Sequence, residues 1–305
     1  MRFFVTGASG WIGTAVVREL LEVGHQVVGL ARSDASADKL ERAGASVQRG
    51  DVDDTGVLAR AAADSEGVIH LAFKHEVAWS GDFAGAAATD RRAVEAMGAA
   101  LAGTDRPFVL ASGMLGLSAK PATENDGLVP APEVRAVPAG RRAATALLTL
   151  SLAGTGVRSS VMRYPPTVHG DGDHGFIASI VGASLQSGAA GYVGDGDNRW
   201  PAVHISDAAR LTRLAAESAP AGSVLHAVGD EGVPFRQIAD VVGRHLAIPA
   251  KSLSPEEATA QYSHLGHFVA VDCPATASIT RELLGWTPTG PGLIEDLELG
   301  HYFKM

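Results

Sequence analysis

Thr6-Gly7-Ala8-Ser9-Gly10-Trp11-Ile12-Gly13 is the stretch that decides the fold. It follows the apolar run Phe3-Phe4-Val5 and opens a segment with helical spacing from about 11 to 22. A strand, a glycine-rich turn and a helix in that order bring free backbone N–H groups and the positive end of a helix dipole to one point. Gly7 permits a tight turn, Gly10 lets a pyrophosphate approach the backbone, and Gly13 allows close packing of helix on sheet. The expected cofactor-binding set here is Gly7, Ser9, Gly10, Trp11, Ile12 and Gly13.

The alternation continues outward from this turn. Gln26-Val27-Val28-Gly29-Leu30 reads as a second strand and Ala45-Ser46-Val47 as a weak third. Gly67-Val68-Ile69-His70-Leu71-Ala72, Pro107-Phe108-Val109-Leu110-Ala111 and Val157-Arg158-Ser159-Ser160-Val161-Met162 complete the series. Helices are expected between them at about 36–43, 83–102 and 138–153. Strands this continuously apolar have no wet face. The pattern therefore predicts an α/β fold, a Rossmann-type doubly wound parallel sheet covered on both sides.

Past Arg163 the pattern loosens into loop chemistry, as in His169-Gly170-Asp171-Gly172-Asp173 and Gly194-Asp195-Gly196-Asp197. A short strand is expected at 190–193, with helices at about 175–187, 206–217, 234–246, 254–264, 275–284 and 291–300. Residues 1–163 read as a dinucleotide-binding domain and 164–305 mainly as a smaller, mixed substrate lobe with some segments returning to the sheet.

Composition narrows the class. The 305 residues are 46% hydrophobic and 19% charged, a globular balance. A net charge of 25 minus 34, or −9, argues against a nucleic-acid or membrane-surface binder. The single cysteine, Cys273, cannot form an intrachain disulfide or a cysteine-based zinc site. No apolar run is long enough to span a bilayer, and the short N-terminal run leaves no room for a signal peptide, so a cytoplasmic location is expected.

The end of the second strand selects the nucleotide. NAD enzymes ordinarily place an acidic residue there for the ribose 2′-hydroxyl. This chain has Leu30-Ala31-Arg32-Ser33-Asp34 instead. A guanidinium pairs bidentately with a 2′-phosphate and a hydroxyl adds a bond, so Arg32 and Ser33 predict NADP over NAD. The other reading is a solvated Arg32 with Asp34 holding the ribose. Asp51 and Val52, after the third strand, place a carboxylate near the adenine amine, although Asp51 serves equally well as a helix cap.

These residues resemble the extended branch of the short-chain dehydrogenase/reductase superfamily, whose members include NAD-dependent epimerases and dehydratases. Thr6 to Gly13 is similar to that branch's cofactor turn, Asp51-Val52 to its adenine contact, and Gly67 to Ala72 to its fourth strand. Arg163-Tyr164-Pro165-Pro166-Thr167-Val168-His169-Gly170 resembles the loop bordering the nicotinamide. Val193-Gly194-Asp195-Gly196 with Val203-His204-Ile205-Ser206-Asp207, and Leu283-Leu284-Gly285-Trp286-Thr287-Pro288, resemble the substrate-lobe signature and the C-terminal helix ending. The resemblance spans essentially the whole chain. It implies that Leu71, Ala72, Phe73, Tyr164, Pro165 and Pro166 also border the cofactor, and it implies a homodimer through the helices at 83–102 and 138–153.

The same resemblance exposes a departure. The family's proton relay needs a tyrosine four residues before a lysine on one helix face. Tyr164, Tyr192, Tyr262 and Tyr302 all lack it. The pair would fall on Val137 and Arg141. An atypical subgroup carries His and Arg there; this chain keeps the Arg and loses the His. Arginine stays charged at working pH, so Arg141 serves as an electrostatic anchor rather than a proton donor, and Arg142 is able to exchange roles with it. Ser112, ending the fifth strand, stands where the family places its catalytic hydroxyl. The proton must come from elsewhere, and His75 and His169 are the expected candidates, with Lys74, Tyr164 and His174 nearby. No metal site is expected.

The expected function is an NADP(H)-dependent oxidoreductase acting on a partly apolar carbonyl, hydroxyl or activated double bond. Phe73, Trp79, Met114, Phe176 and Trp200 are the candidate pocket residues. The alternatives are a non-catalytic NADP-binding redox sensor and a sugar-nucleotide epimerase or dehydratase. A small-molecule substrate is the expected partner.

Overall fold

The computed structural model describes residues 1–117, 120–128 and 138–304. The first half runs β1 (Arg2–Thr6), α1 (Trp11–Glu22), β2 (Gln26–Ala31), α2 (Asp34–Arg42), β3 (Ser46–Arg49), α3 (Thr55–Ala63), β4 (Gly67–His70), α4 (His75–Trp79), α5 (Phe83–Leu101) and β5 (Pro107–Gly113). There follow α6 (Pro138–Ser151), β6 (Arg158–Tyr164), β7 (Thr167–His169), α7 (Phe176–Ser187), β8 (Ala190–Val193), β9 (Arg199–His204) and α8 (Ile205–Ser218). The chain ends with β10 (Ser223–His226), β11 (Asp230–Pro234), α9 (Phe235–Leu246), β12 (Ala250–Leu253), α10 (Pro255–Tyr262), α11 (Ser278–Leu284) and α12 (Leu293–Glu298).

Seven strands form a parallel sheet in the order β10-β6-β5-β4-β1-β2-β3. Alternate side chains feed two cores. Phe3, Val5, Ile69, Val109 and Met162 meet Val16, Val17 and Leu20 of α1 and Leu211 and Ala215 of α8. Phe4, Val28, Val68, Phe108 and Val161 meet Leu58 of α3 and Ala93, Val94 and Met97 of α5. Each buried aliphatic or aromatic side chain is worth roughly 1.5–3 kcal/mol, so a sheet covered on both sides favours unbroken apolar strands such as β4.

A smaller lobe carries a three-stranded sheet, β11-β9-β7, and the pair β12-β8. Its core gathers Ile177, Trp200, Phe235, Ile238 and Tyr262. The strand order of the large sheet turns back on itself between β1 and β4. That switch point opens a crevice at the carboxyl ends of the strands, where ligands of such sheets bind.

The chain past residue 163 is more interwoven with the sheet than its loop-rich sequence suggests. β10 pairs with β6 and completes the large sheet, and α8 packs on α1. The helix expected at 275–284 begins only at Ser278. Residues 275–276 are instead held extended, with Ala275 N donating to Glu231 O and Thr276 N to Ala122 O. Met114 and Trp200 are fully buried core residues, so neither lines a pocket. Among the described residues no helix is long and apolar enough to cross a membrane.

Candidate active site

The glycine turn sits at the carboxyl end of β1, against the chain leaving β4. Gly7 has φ +66°, and a Cβ there would stand 2.8 Å from Ala72 N. A Cβ on Gly13 would stand 2.0 Å from Gly7 O, which only glycine avoids. Gly10 N donates to Gly7 O at 3.0 Å and so closes the turn. The first amides of α1 have no partner inside the helix and face the crevice mouth. This cradle suits a pyrophosphate. Trp11 ties it to the smaller lobe: its Nε1 donates to Val168 O at 2.7 Å, and its ring meets His174 edge-on. Ile12 turns inward onto the α1 core, and Ser9 O accepts from Lys39 Nζ at 2.9 Å.

At the adenosine end the side chains are already paired. Arg32 is ion-paired with Glu76, and Asp34 with Arg49. Ser33 Oγ caps α2 by accepting from Ser36 N. Lys74 pairs with Asp53 and lies 3.3 Å from Asp51. Val52 is buried beneath α3.

Beyond the switch point, three polar side chains share one face. Ser112 and Arg163 are register partners on β5 and β6, and Arg163 and His226 on β6 and β10. Neighbours in register on parallel strands point the same way. His226 Nδ1 donates to Thr276 O at 2.8 Å, which leaves Nε2 to accept from Arg163 Nη1 at 3.3 Å. Burial pushes the His226 pKa down to about 4, so the ring is neutral at pH 7. Ser112 Oγ has no hydrogen-bond partner among the described residues and is half-buried.

The two arginines of α6 separate sharply. Arg141 is exposed, whereas Arg142 turns inward and lies 4.1 Å over the Phe73 ring. Val137 lies outside the described residues. His75 is exposed as a residue, but its ring rests against Phe73 and Trp79. That partial desolvation, with the Arg142 cation nearby, lowers its pKa and keeps the imidazole neutral at pH 7.

Other expected residues have structural tasks. Tyr164 is buried with its hydroxyl 2.6 Å from Thr212 Oγ1, and burial raises its pKa. Leu71 packs partly on the same core. Pro165 is buried and Pro166 half-buried in the turn from β6 to β7. His169 is fully buried, its Nδ1 2.9 Å from Asp296 Oδ2. Tyr262 OH donates to Gly191 O, Tyr302 OH to Asp173 Oδ2, and Tyr192 stacks under Arg236. All four tyrosines are therefore engaged, including Tyr164 at the end of β6, whose hydroxyl is taken by Thr212. Asp90 and Glu76 escaped the sequence reading. Asp90 did leave a signal: it lies on the α5 stripe of Ala86, Ala93, Val94, Met97 and Leu101, a buried face where an acid needs a reason.

A family model, the NAD dependent epimerase/dehydratase family, matches residues 3–227. The chain belongs to that family. It is thereby an enzyme of the NAD(P)-dependent epimerase and oxidoreductase class. An uncharacterized protein of Schizosaccharomyces pombe is 43% identical over 99% of this chain and 100% of its own length. One of Saccharomyces cerevisiae is 40% identical over 99% of both. Among solved structures, UDP-glucose 4-epimerase of Thermotoga maritima, with UDP-glucose, superposes with a TM-score of 0.76 at 21% identity, covering 99% and 98% of the two chains. MoeE5, in complex with UDP-glucuronic acid and NAD, gives 0.73 at 24% identity, covering 98% and 97%. UDP-glucuronic acid 4-epimerase of Bacillus cereus, with UDP-glucuronic acid and NAD, gives 0.73 at 20% identity, covering 99% and 98%.

The expectation of NADP, and with it of an NADP-dependent reductase of partly apolar substrates, is corrected here. The matching family is NAD-dependent, and the neighbours solved with a dinucleotide hold NAD. The physical reason is at Arg32. Its guanidinium is taken by Glu76, and a 2′-phosphate would meet the carboxylates of Glu76 and Asp34.

Proposed function

We propose that this family member binds NAD in the crevice between β1 and β4 and uses it for epimerase- or dehydratase-type redox chemistry on a nucleotide-linked sugar. The observation that carries the reading is the cradle: Gly7 and Gly13 let β1, the chain after β4 and the start of α1 approach to distances that any Cβ would forbid, at the switch point of a parallel sheet. The substrate class rests on the solved neighbours, which hold UDP-sugars. The turn from Gly7 to Gly13 would hold the pyrophosphate, and Asp51 and Val52 would border the adenine. NAD bound there would supply reversible hydride transfer at a sugar carbinol carbon.

The chain's own part is orientation and proton handling. Ser112 Oγ, without a partner among the described residues, is available to donate to the substrate oxygen at the end of β5. His75, neutral at pH 7 and open to solvent, is the group offered to relay the hydroxyl proton; with its pKa lowered to about 4 it is a weak acceptor that passes the proton on to water, a role that no tyrosine is placed to fill. The test is calorimetric titration with NAD+ and NADP+, followed by turnover of UDP-glucose and UDP-glucuronic acid read by product analysis. NAD+ should bind more tightly than NADP+. Ser112→Ala should lower turnover by about 10²-fold or more with little change in NAD+ affinity. A protein that bound neither dinucleotide would sink the proposal.

A further inference from the structure

Three buried polar atoms without a hydrogen-bond partner among the described residues lie near the end of β4 and the residues that follow it: His70 Nε2 beside Asp90 Oδ2, and Arg142 Nε over Phe73. They come from the end of β4, the buried stripe of α5 and the start of α6. Thr6 Oγ1 accepts from Ala72 N at 3.2 Å and stands 2.5 Å from His70 Nδ1, to which its own proton is available. The Asp90 carboxylate, 3.2 Å from Nε2, favours the ring hydrogen on that nitrogen, although Oδ1 is poorly aligned to accept it. Asp90 is only 3% exposed. Arg142 makes no ion pair among the described residues, although Asp90 lies within its electrostatic reach. Its guanidinium instead covers Phe73, the residue after Ala72, whose amide abuts Gly7.

Buried donors and acceptors are costly to leave unmade, so a ligand group that completes them binds with unusual advantage. The chemistry of that group follows by elimination. A phosphate or carboxylate would pair with Arg142 but meet Asp90. An ammonium would satisfy Asp90 but meet Arg142. A hydroxyl accepts from one and donates to the other. We propose that His70, Asp90 and Arg142 form a buried subsite for a sugar hydroxyl, with Arg142 donating to its oxygen and Asp90 accepting its proton. The hydroxyl has two possible sources, a ribose of the dinucleotide or the sugar ring of the substrate. The assignment rests on the functional reading above for its probes.

The test uses the full chain with Asp90→Asn, Arg142→Gln and the double variant. NAD+ is titrated into the free protein, and UDP-glucose into the NAD-saturated protein. Each single variant should weaken one probe at least tenfold. Loss on NAD+ assigns the ribose; loss on UDP-glucose alone assigns the substrate sugar. The double variant should cost no more than the worse single one, because both side chains hold the same group. Should Asp90→Asn fail to fold, Arg142→Lys keeps the charge and removes the Nε–H, and it should show the same selective loss. Affinities within twofold of wild type for both probes, whatever the melting temperature, would overturn the subsite and leave a trapped water or a purely structural contact. Wild-type protein that bound neither probe would overturn the functional reading itself, and the assignment with it.

Discussion

The glycine turn and the start of α6 are the two ends of one crevice, and they are built in opposite ways. The turn is backbone: Gly7, Gly10 and Gly13 shape it, and no titratable side chain is needed to hold a phosphate there. The α6 end is side chains: Ser112, Arg163 and His226 on adjacent strands, with Arg142 folded over Phe73. The turn tolerates almost no change, whereas the other end has lost the family's Tyr–Lys relay and kept its architecture. On the function proposed above, holding the cofactor and moving the proton are separable in this fold. One depends on chain path and the other on which side chains happen to reach the strand ends.

Gly13→Ala should break that contrast most forcefully. The added methyl would meet Gly7 O at 2.0 Å and Ala8 Cα at 2.8 Å, both backbone atoms. Destabilisation of about 3 kcal/mol or more is expected, with NAD+ affinity lost, in paired thermal melts and calorimetry. Normal NAD+ binding by this variant would mean that the turn is not the cradle.

A smaller effect should appear at the far end, as a pH dependence that the turn lacks. His226 is fully buried and its pKa is lowered to about 4, against 6.5 when unfolded. The unfolded chain then binds the proton first, so stability is complete above about pH 6.5 and falls as the pH drops toward 4. At 1.36 kcal/mol per unit the loss is on the order of 3 kcal/mol. Arg163, Glu124 and Asp126 face the ring and set the remainder of the slope. His226→Gln should flatten the melting-temperature profile between pH 4 and 6.5. An unchanged slope would assign the acid sensitivity elsewhere.

The smallest effect is expected at the adenosine rim, where the turn end does use side chains. Glu76→Gln releases Arg32, so the ratio of NADP+ to NAD+ affinity should rise by about three- to tenfold in parallel titrations. No change in that ratio would mean that the Arg32–Glu76 pair plays no part in choosing the nucleotide.

Much of the sheet is legible from periodicity alone. The apolar runs at Phe3, Val27, Ile69, Val109 and Val161 became adjacent parallel strands, and the expected helix from about 11 to 22 is α1. The four-residue β10, Ser223–His226, is too short to stand out, yet it completes the sheet. Its pairing with β6 is a long-range event that no local pattern announces. The site divides the same way. The glycine turn is a sentence of eight consecutive residues, while Asp90 is one acid in an alanine-rich helix until α5 is seen to bury it.

The alternating layers, the glycine turn from Gly7 to Gly13 and the absence of a Tyr–Lys pair follow from residue order alone, because each is encoded within short segments. That Glu76, 44 residues away, occupies Arg32, and that Arg142 rather than Arg141 turns inward, emerges only when distant segments pack together. The same packing alone brings His70, Asp90 and Arg142 together. The reason is physical. A guanidinium's role is set by the charge that reaches it and by the water excluded around it, and both come from segments far away in the chain.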